Sequence, residues 1–222
     1  MGNHQNSAHD YRYIITNYPQ HQVAENALLG LQQELTALGQ ADQFSTYLSA
    51  YKSANPDKTN FENVEFESAK TLYFDQKYAQ AGTAFQNFIN AYPSSGLLNE
   101  ALYLQGDAYF RAGNFNNARE AFIKLKDQEN YNKYDRVIER LAELEFEQKN
   151  FNEAIKYYRK YESLAANKKA QYRAWSALME SYYALKKYDS VDLYANNILE
   201  RGLVAADAEG EAQLYLGKSA YE

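Results

Sequence analysis

The stretch that decides the fold is Glu100–Leu125, which reads EALYLQGDAYFRAGNFNNAREAFIKL. In its first half, Leu102, Gly106 and Tyr109 recur at helical spacing and predict one face of a helix. Gly113 suits the left-handed turn that commonly ends a helix. In the second half, a stripe of residues spaced three, four and three apart predicts a second helix: Phe115, Ala118, Phe122 and Leu125. The stretch therefore predicts two helices joined by a tight turn.

The same pattern recurs along the chain at intervals of 36 to 38 residues. The three prolines, at Pro19, Pro56 and Pro93, are each 37 residues apart. Because proline lacks an amide donor and disfavours helical backbone in the residue before it, each proline should follow the end of a second helix. The intervals predict one repeat array with approximate units 22–57, 60–94, 97–129, 133–166 and 170–204, flanked by half-repeats at 8–20 and 208–222.

Composition favours a helical chain and limits its partners. Three prolines and ten glycines are few for the turn-rich loops of an all-β protein. The net charge of −6 would repel a nucleic-acid backbone, so we expect no nucleic-acid partner. The basic run between Lys149 and Lys187 is interpreted as a solvated helix face in preference to a binding site for a polyanion or an acidic partner. No apolar run approaches the ~20 residues that span a bilayer.

The residues that catalysis or metal binding would need are not grouped in the sequence. There are no cysteines, which excludes disulfides and thiolate ligands. His4, His9 and His21 lie in or beside the polar N-terminal stretch without carboxylates at ligand spacing. Glu143 and Glu145 are two apart, so a helix directs them to different sides. With no phosphate-binding glycine loop or nucleophile elbow either, we expect no enzyme activity, metal or cofactor.

The repeat resembles the tetratricopeptide repeat, whose pattern is W-x2-L-G-x2-Y, then A-x3-F and a proline. Trp175, Leu178 and Tyr182 match its first half, and Ala118 with Phe122 matches its second. The resemblance implies an all-α, right-handed superhelix of antiparallel helix pairs, with first helices on the concave face and second helices on the convex face. The repeat is longer than the common one, which has about 34 residues. This length and the loop sequence YPSS resemble those of bacterial envelope members of the family. These include the Tol-Pal-associated coordinator and the lipoprotein of the outer-membrane β-barrel assembly machine.

The resemblance implies a non-catalytic scaffold that binds a peptide or partner protein in its concave groove. Transferred position by position, the inward-facing residues are Phe66, Lys70, Tyr73, Tyr103, Asp107, Phe110, Glu139, Glu143, Phe146, Ser176, Glu180 and Tyr183. Their carboxylates make the middle of the groove acidic, so a basic or polar extended segment is the expected guest. The envelope likeness favours a periplasmic or outer-membrane-associated location over a cytoplasmic one. The polar N-terminus, MGNHQNSAHD, has no apolar core of a signal peptide.

Two questions stay open at this stage. An aromatic column recurs at nearly constant spacing and could either anchor a partner or pack between adjacent repeats: Tyr73, Phe110, Phe146, Tyr183 and Tyr221. The chain could also be a structural or assembly component that works through end-to-end or edge contacts of its repeats within a larger multi-repeat protein. The last half-repeat has an apolar stripe ending at Tyr221, and solenoid ends need capping. We therefore expect either a longer array or a homo-oligomer formed through these terminal helices.

Overall fold

The computed structural model describes residues 2–58, 61–201 and 207–221. Within these ranges the chain forms twelve α-helices and one short 3-10 turn, Ala41–Gln43. The helices are α1 Gly2–Asn17, α2 Val23–Ala37, α3 Phe44–Ala54, α4 Glu62–Phe74, α5 Tyr78–Ala91, α6 Leu98–Arg111, α7 Phe115–Ile123, α8 Tyr134–Glu147, α9 Phe151–Leu164, α10 Lys168–Ala184, α11 Tyr188–Arg201 and α12 Ala208–Tyr221. The all-α class expected from the sequence is confirmed.

The helices form two compact units, Met1–Ala121 and Phe122–Glu222. In the first unit, α1 packs on α2, α4 packs on α5, and α5 packs on α6. In the second unit, each helix from α8 to α12 packs on the next one along the chain. The predicted repeat boundaries include residues 60, 202–204 and 222, which lie outside the described residues. Within each unit the helices therefore stack in chain order.

The prolines lie where second helices end. The helices α1, α3 and α5 each end two residues before a proline, at Pro19, Pro56 and Pro93. The loop around Pro93 is held onto α4 by two side-chain hydrogen bonds. Tyr92 donates its hydroxyl to Glu65 Oε1 at 3.1 Å, and Ser95 donates its hydroxyl to Glu62 Oε1 at 2.5 Å. The proline thus stops the helix, and the residues on either side of it tie the loop to α4.

The first helix of every pair ends in the same turn. In α6, the Gly113 N–H donates to the Phe110 carbonyl at 3.0 Å and the Asn114 N–H donates to the Tyr109 carbonyl at 2.8 Å, which is a Schellman motif. The equivalent two bonds end α2, α4, α8 and α10. The residue at the left-handed position has a φ between 56° and 75° in all five turns: Gly39, Gln76, Gly113, Lys149 and Lys186. Three of the five turns therefore place a side chain where glycine is preferred.

These turns predict that two substitutions change the free energy of unfolding in opposite directions. Replacing Lys149 with glycine is expected to raise the free energy of unfolding by a few tenths to about 1 kcal/mol, because a residue with a Cβ is disfavoured in the left-handed region. Replacing Gly113 with alanine is expected to lower it by about 1 kcal/mol for the same reason. Apart from its chain neighbours, no described residue comes within 4 Å of a Cβ built at Gly113, so the effect would be conformational strain. Urea unfolding measures both changes; a lower midpoint for Lys149→Gly would contradict the interpretation.

A close helix approach occurs at Gly82, which the sequence did not single out. A Cβ built there would lie 2.5 Å from Tyr109 Cε1, well inside van der Waals contact. The neighbouring Ala81 is fully buried. The contact between α5 and α6 therefore depends on a glycine in the middle of α5, where helix propensity alone would disfavour it.

Candidate functional site: the faces of the first helices

The residues transferred from the family pattern lie on the first helices, α4 and α6 in the first unit and α8 and α10 in the second. Their side chains do not share one environment. Some are buried in the core, some bond to neighbouring helices, and some line a cleft.

Phe66 lies in the core of the first unit rather than on an open face. Its side chain is only 4% exposed, and its ring centroid lies 5.9 Å from that of Phe85 and 5.4 Å from that of Phe88. Lys70 covers this ring, with its Nζ 5.4 Å from the Phe66 centroid, and donates to Glu67 Oε1 at 2.7 Å. A guest on α4 would thus meet Lys70 before Phe66.

Tyr73 and Asp107 are brought together by the packing of α4 beside α6. The Tyr73 hydroxyl donates to Asp107 Oδ2 at 2.5 Å, and Arg111 Nε donates to the same oxygen at 2.5 Å. The Arg111 guanidinium also lies 5.8 Å from the ring centroid of Tyr73 and 5.4 Å from that of Tyr78. Burial and the Asp107 carboxylate raise the pKa of Tyr73 well above its usual value. The cluster joins two repeats. The sequence prediction included Tyr73 and Asp107 but not Arg111.

The aromatic column makes the same contact in four repeats. Each ring packs on the aromatic residue five positions later, across the turn into the second helix. The ring centroids are 5.7 Å apart for Tyr73 and Tyr78, 5.6 Å for Phe110 and Phe115, 5.5 Å for Phe146 and Phe151, and 6.0 Å for Tyr183 and Tyr188. Tyr221 does not share this environment, being 91% exposed. The contact favours a packing role for the four rings, within a helix pair rather than only between repeats.

The first unit has a cleft between its consecutive first helices α2 and α4. Its volume is about 660 Å³. The lining residues are mostly small or uncharged: Leu29, Gln32, Gln33, Thr36, Ala37, Asn63, Val64, Glu67 and Thr71. None of them was among the predicted groove residues. The sequence signal for this cleft is the absence of large side chains where α2 faces α4.

The second unit has a cleft between its consecutive first helices α8 and α10, and α9 contributes to its lining. Its volume is about 320 Å³. The lining residues are Glu139, Glu143, Phe146, Glu147, Tyr158, Tyr161, Tyr172, Arg173, Ser176, Ala177 and Glu180. All the predicted groove residues of α8 are among them, as are Ser176 and Glu180 of α10. Of the predicted residues in this unit, only Tyr183 lies outside this lining.

The α8–α10 cleft is acidic, and Arg173, the cation among its described lining residues, is already engaged. Arg173 Nη2 lies 2.8 Å from Glu139 Oε1 and donates to the Tyr161 hydroxyl at 3.1 Å. Arg136, from outside the cleft, donates to Glu139 Oε2 at 3.1 Å. Glu139 is therefore compensated by two guanidinium groups. The other three carboxylates in the lining are Glu143, Glu147 and Glu180.

The pKa shifts show where negative charge is least stabilised. Burial raises the pKa of the Glu143 carboxyl, although Arg140 opposes the shift through a hydrogen bond of 2.5 Å. Burial, followed by the nearby Glu211 carboxylate, raises the pKa of Glu180 to about 7. Burial and these carboxylates also raise the pKa of Tyr158. The cleft therefore disfavours its own anionic form and would favour an added cation.

The helix α12 covers the outer part of α10. Glu211 accepts hydrogen bonds from the Tyr172 hydroxyl at 2.7 Å and from the Ser176 hydroxyl at 2.9 Å. The Tyr183 ring lies 5.3 Å from that of Tyr215, and Lys218 Nζ lies 4.6 Å from the Tyr215 centroid. Ser176 and Tyr183, which the sequence assigned to the groove, are therefore engaged by the last helix.

Glu180 gives a prediction on pH dependence. A carboxyl group whose pKa is raised in the folded state binds its proton more tightly there than in the unfolded chain. Its deprotonation therefore costs stability as the pH rises from about 4.5, the ordinary value, through about 7. We expect the melting temperature of the chain to fall over this range relative to that of a Glu180→Gln variant. If the melting temperatures of the two proteins changed in parallel from pH 5 to pH 8, that result would contradict the raised pKa of Glu180.

The basic run between Lys149 and Lys187 is in part paired with acidic side chains. Lys156 bonds Glu153, and Lys160 donates to Glu129 Oε1 at 2.9 Å. These pairs are consistent with the solvated helix face expected from the sequence. In the described ranges, no helix has the length and apolar character required to cross a membrane. Over the same ranges, no group of three or more potential ligands could hold a metal ion.

Comparison with known proteins identifies the repeat. Residues 64–95 and 100–129 match the family model described as Tetratricopeptide repeat. No curated protein matches the chain. The chain is similar to the solved structure of PilF from Pseudomonas aeruginosa, with a TM-score of 0.52 and 13% identity, over 99% of this chain and 91% of that one. It is also similar to the structure of PilW, a type IV pilus biogenesis factor, with a TM-score of 0.52 and 15% identity, over 93% of this chain and 90% of that one. A third similar structure is the apo form of RapI, with a TM-score of 0.51 and 14% identity, over 88% of this chain and 63% of that one. At these identities the structures show the fold alone.

Proposed function

We propose that the chain binds an extended segment of another protein on the faces of the first helices within a unit, because residues 64–95 and 100–129 match the tetratricopeptide-repeat model and proteins with this repeat bind other proteins or peptides. The chain contributes no catalytic step in this proposal. Its role is to hold the partner segment in place, with the second helices as support.

The observation that carries the proposal is the position of the two clefts. One lies between the first helices α2 and α4, and the other lies between the first helices α8 and α10. Partly apolar clefts with a few polar groups are where ligands bind. The second cleft is lined by Glu139, Glu143, Phe146 and Glu180, which family position alone had assigned to the groove. Two independent arguments therefore point to the same surface.

The proposal is tested with a random peptide library displayed on phage and selected on the folded chain. Since the chain has no cysteine, single cysteines can carry a photo-crosslinker at chosen positions. We expect enriched peptides to crosslink from Gln33→Cys or Glu147→Cys, both of which line a cleft, and not from Lys156→Cys on α9. Crosslinking only from position 156, or no enriched peptide, would contradict the proposal.

The proposed location is the periplasm or the outer-membrane surface. Its support is the lengthened loop around Tyr92 and Ser95, which is similar to that of bacterial envelope members of the family. The two hydrogen bonds from this loop to α4 give the lengthened loop a defined structural role. Fractionation of cells that express the full protein with a small C-terminal tag tests the location. Recovery in the cytosolic fraction would contradict it.

A second candidate function, assembly through the terminal helix, has an observation in its favour. Leu214 is 55% exposed and lies with Tyr221 beside a depression of about 500 Å³ on α12. Exposed apolar surface of this kind often marks an interaction site. Light scattering over a range of protein concentrations tests this function. A concentration-dependent mass that Leu214→Glu abolishes would support it, and a monomer at all concentrations would not.

A further inference from the structure

We propose that the α8–α10 cleft binds one arginine side chain of a basic partner segment. This inference rests on the proposed function and names the chemical class of the partner. The cleft is defined by the residues of α8, α9 and α10 that line it, all within the second unit.

The size of the cleft suits one long side chain. At about 320 Å³ it lies near the lower end of the range for ligand pockets, roughly 300–1,000 Å³. The same volume would hold on the order of ten water molecules, given about 30 Å³ for each in the liquid. A helix of a partner, about 10 Å wide with its side chains, would not enter such a space. The backbone of the partner would therefore remain outside, with a single side chain inserted.

The aromatic lining favours a flat, weakly hydrated cation. Phe146, Tyr158, Tyr161 and Tyr172 contribute to the walls of the cleft. The ring of Phe146 lies 6.4 Å from that of Tyr158, edge to face. A guanidinium group stacks on such rings and is less strongly hydrated than an ammonium group. The walls thus favour arginine over lysine.

The carboxylates supply the charge complement. Arg173 and Arg136 already pair with Glu139, whose buried Oε1 accepts no hydrogen bond from the described residues. Arg140 donates a hydrogen bond to Glu143 Oε2, and a carboxylate can accept several hydrogen bonds. Glu180 lies on the opposite helix near a second carboxylate, Glu211, whose effect Lys218 of α12 opposes only in part. The five N–H donors of an entering arginine could bond to both Glu143 and Glu180.

Binding should also release a proton. Entry of a cation favours the ionised form of Glu180, whose pKa is raised by burial and by Glu211. The titratable and charged groups around Glu180 are Glu139, Glu143 and Glu147 on α8, Tyr158 and Tyr161 on α9, Tyr172, Arg173 and Tyr183 on α10, and Glu211, Tyr215 and Lys218 on α12. Among these, Glu143 and Glu180 are the carboxyl groups with raised pKa values. Affinity should therefore increase as the pH rises from 5.5 to 7.5.

The test uses the peptides enriched from the displayed library, synthesised with a fluorescent label and measured by anisotropy. Each cleft-binding peptide is made in three forms, with arginine, with lysine, and with citrulline, which has nearly the shape of arginine but no charge. We expect the citrulline form to bind at least 10-fold more weakly than the arginine form, with the lysine form between them. The affinity of the arginine form should also rise several-fold between pH 5.5 and pH 7.5.

The protein variants provide the second arm. We expect the double substitution Glu143→Gln with Glu180→Gln to weaken the arginine peptide at least 10-fold and to remove its pH dependence. The matched control, Glu153→Gln with Glu200→Gln, changes two exposed carboxylates on second helices and should leave the affinity unchanged. The citrulline comparison uses the unmodified protein, so it remains decisive even if the double variant fails to fold.

The outcomes separate this inference from the proposed function. Peptides that crosslink from position 147 but bind equally well in the citrulline form would overturn the arginine site and leave the scaffold function standing. No enriched peptide at all would overturn both. Equal losses for the cleft variant and the control variant would overturn the arginine site, because the effect would then be one of net charge.

Discussion

Replacing Phe66 with alanine is expected to lower the free energy of unfolding by about 3–5 kcal/mol, the usual cost of removing a buried phenylalanine ring. The ring is almost fully buried and packs on Phe85 and Phe88, both of which are also buried. Its removal would leave a cavity between α4 and α5 that the two neighbouring rings cannot fill without changing rotamer. Urea unfolding followed by circular dichroism measures the loss.

The matched control is Phe74→Ala on the same helix. Phe74 is 69% exposed, so its replacement should change the free energy of unfolding by less than about 1 kcal/mol. The comparison decides between two roles for Phe66. If Phe66→Ala leaves stability unchanged and instead abolishes peptide binding, Phe66 is a groove residue, as family position alone predicted.

Replacing Arg111 with methionine is expected to cost about 3 kcal/mol. The substitution removes the guanidinium from Asp107, whose side chain is only 3% exposed. Arg111 itself is about half exposed, but removing the partner of a buried charge is destabilising because the charge that remains is still buried. The long methionine side chain retains much of the apolar packing of the arginine stem over Tyr73 and Tyr78. The loss therefore reports mainly on charge.

A double-mutant cycle with Asp107→Asn gives the coupling. Without the carboxylate, Arg111→Met should cost much less, so the two losses should not add. The matched control is Lys70→Met, which breaks the more exposed pair with Glu67 and should cost less than about 1 kcal/mol. Additive losses for Arg111 and Asp107 would show that the two side chains are not coupled as the hydrogen bond between them indicates.

Local features of the fold could be predicted from the sequence because they depend on short-range chemistry. Proline removes a donor and ends a helix wherever it falls, which is why α1, α3 and α5 end just before Pro19, Pro56 and Pro93. The left-handed position after α6 could be identified from Gly113. The equivalent positions at Gln76, Lys149 and Lys186 could not, because these residues do not favour that geometry and only the hydrogen bonds of the turn reveal it.

The candidate site could be predicted only in part. Glu139, Glu143 and Glu180 converge because α8 and α10 are first helices of consecutive repeats, and repeat position carries that information. The roles of Tyr73 and Asp107 depend on Arg111, a contact that no spacing along one helix specifies. The cleft between α2 and α4 results from an absence of bulk, which a search for distinctive residues does not detect. The constant offset of five within the aromatic pairs was visible in the sequence and would have indicated packing across the turn.

Amide hydrogen exchange of the chain, with and without a bound arginine peptide from the library, tests most directly whether the first helices hold the partner. We expect slower exchange in the parts of α8 and α10 that border the cleft, with little change in α11. Protection confined to the second helices α9 and α11, or to α12 alone, would contradict the central claim that the first helices hold the partner.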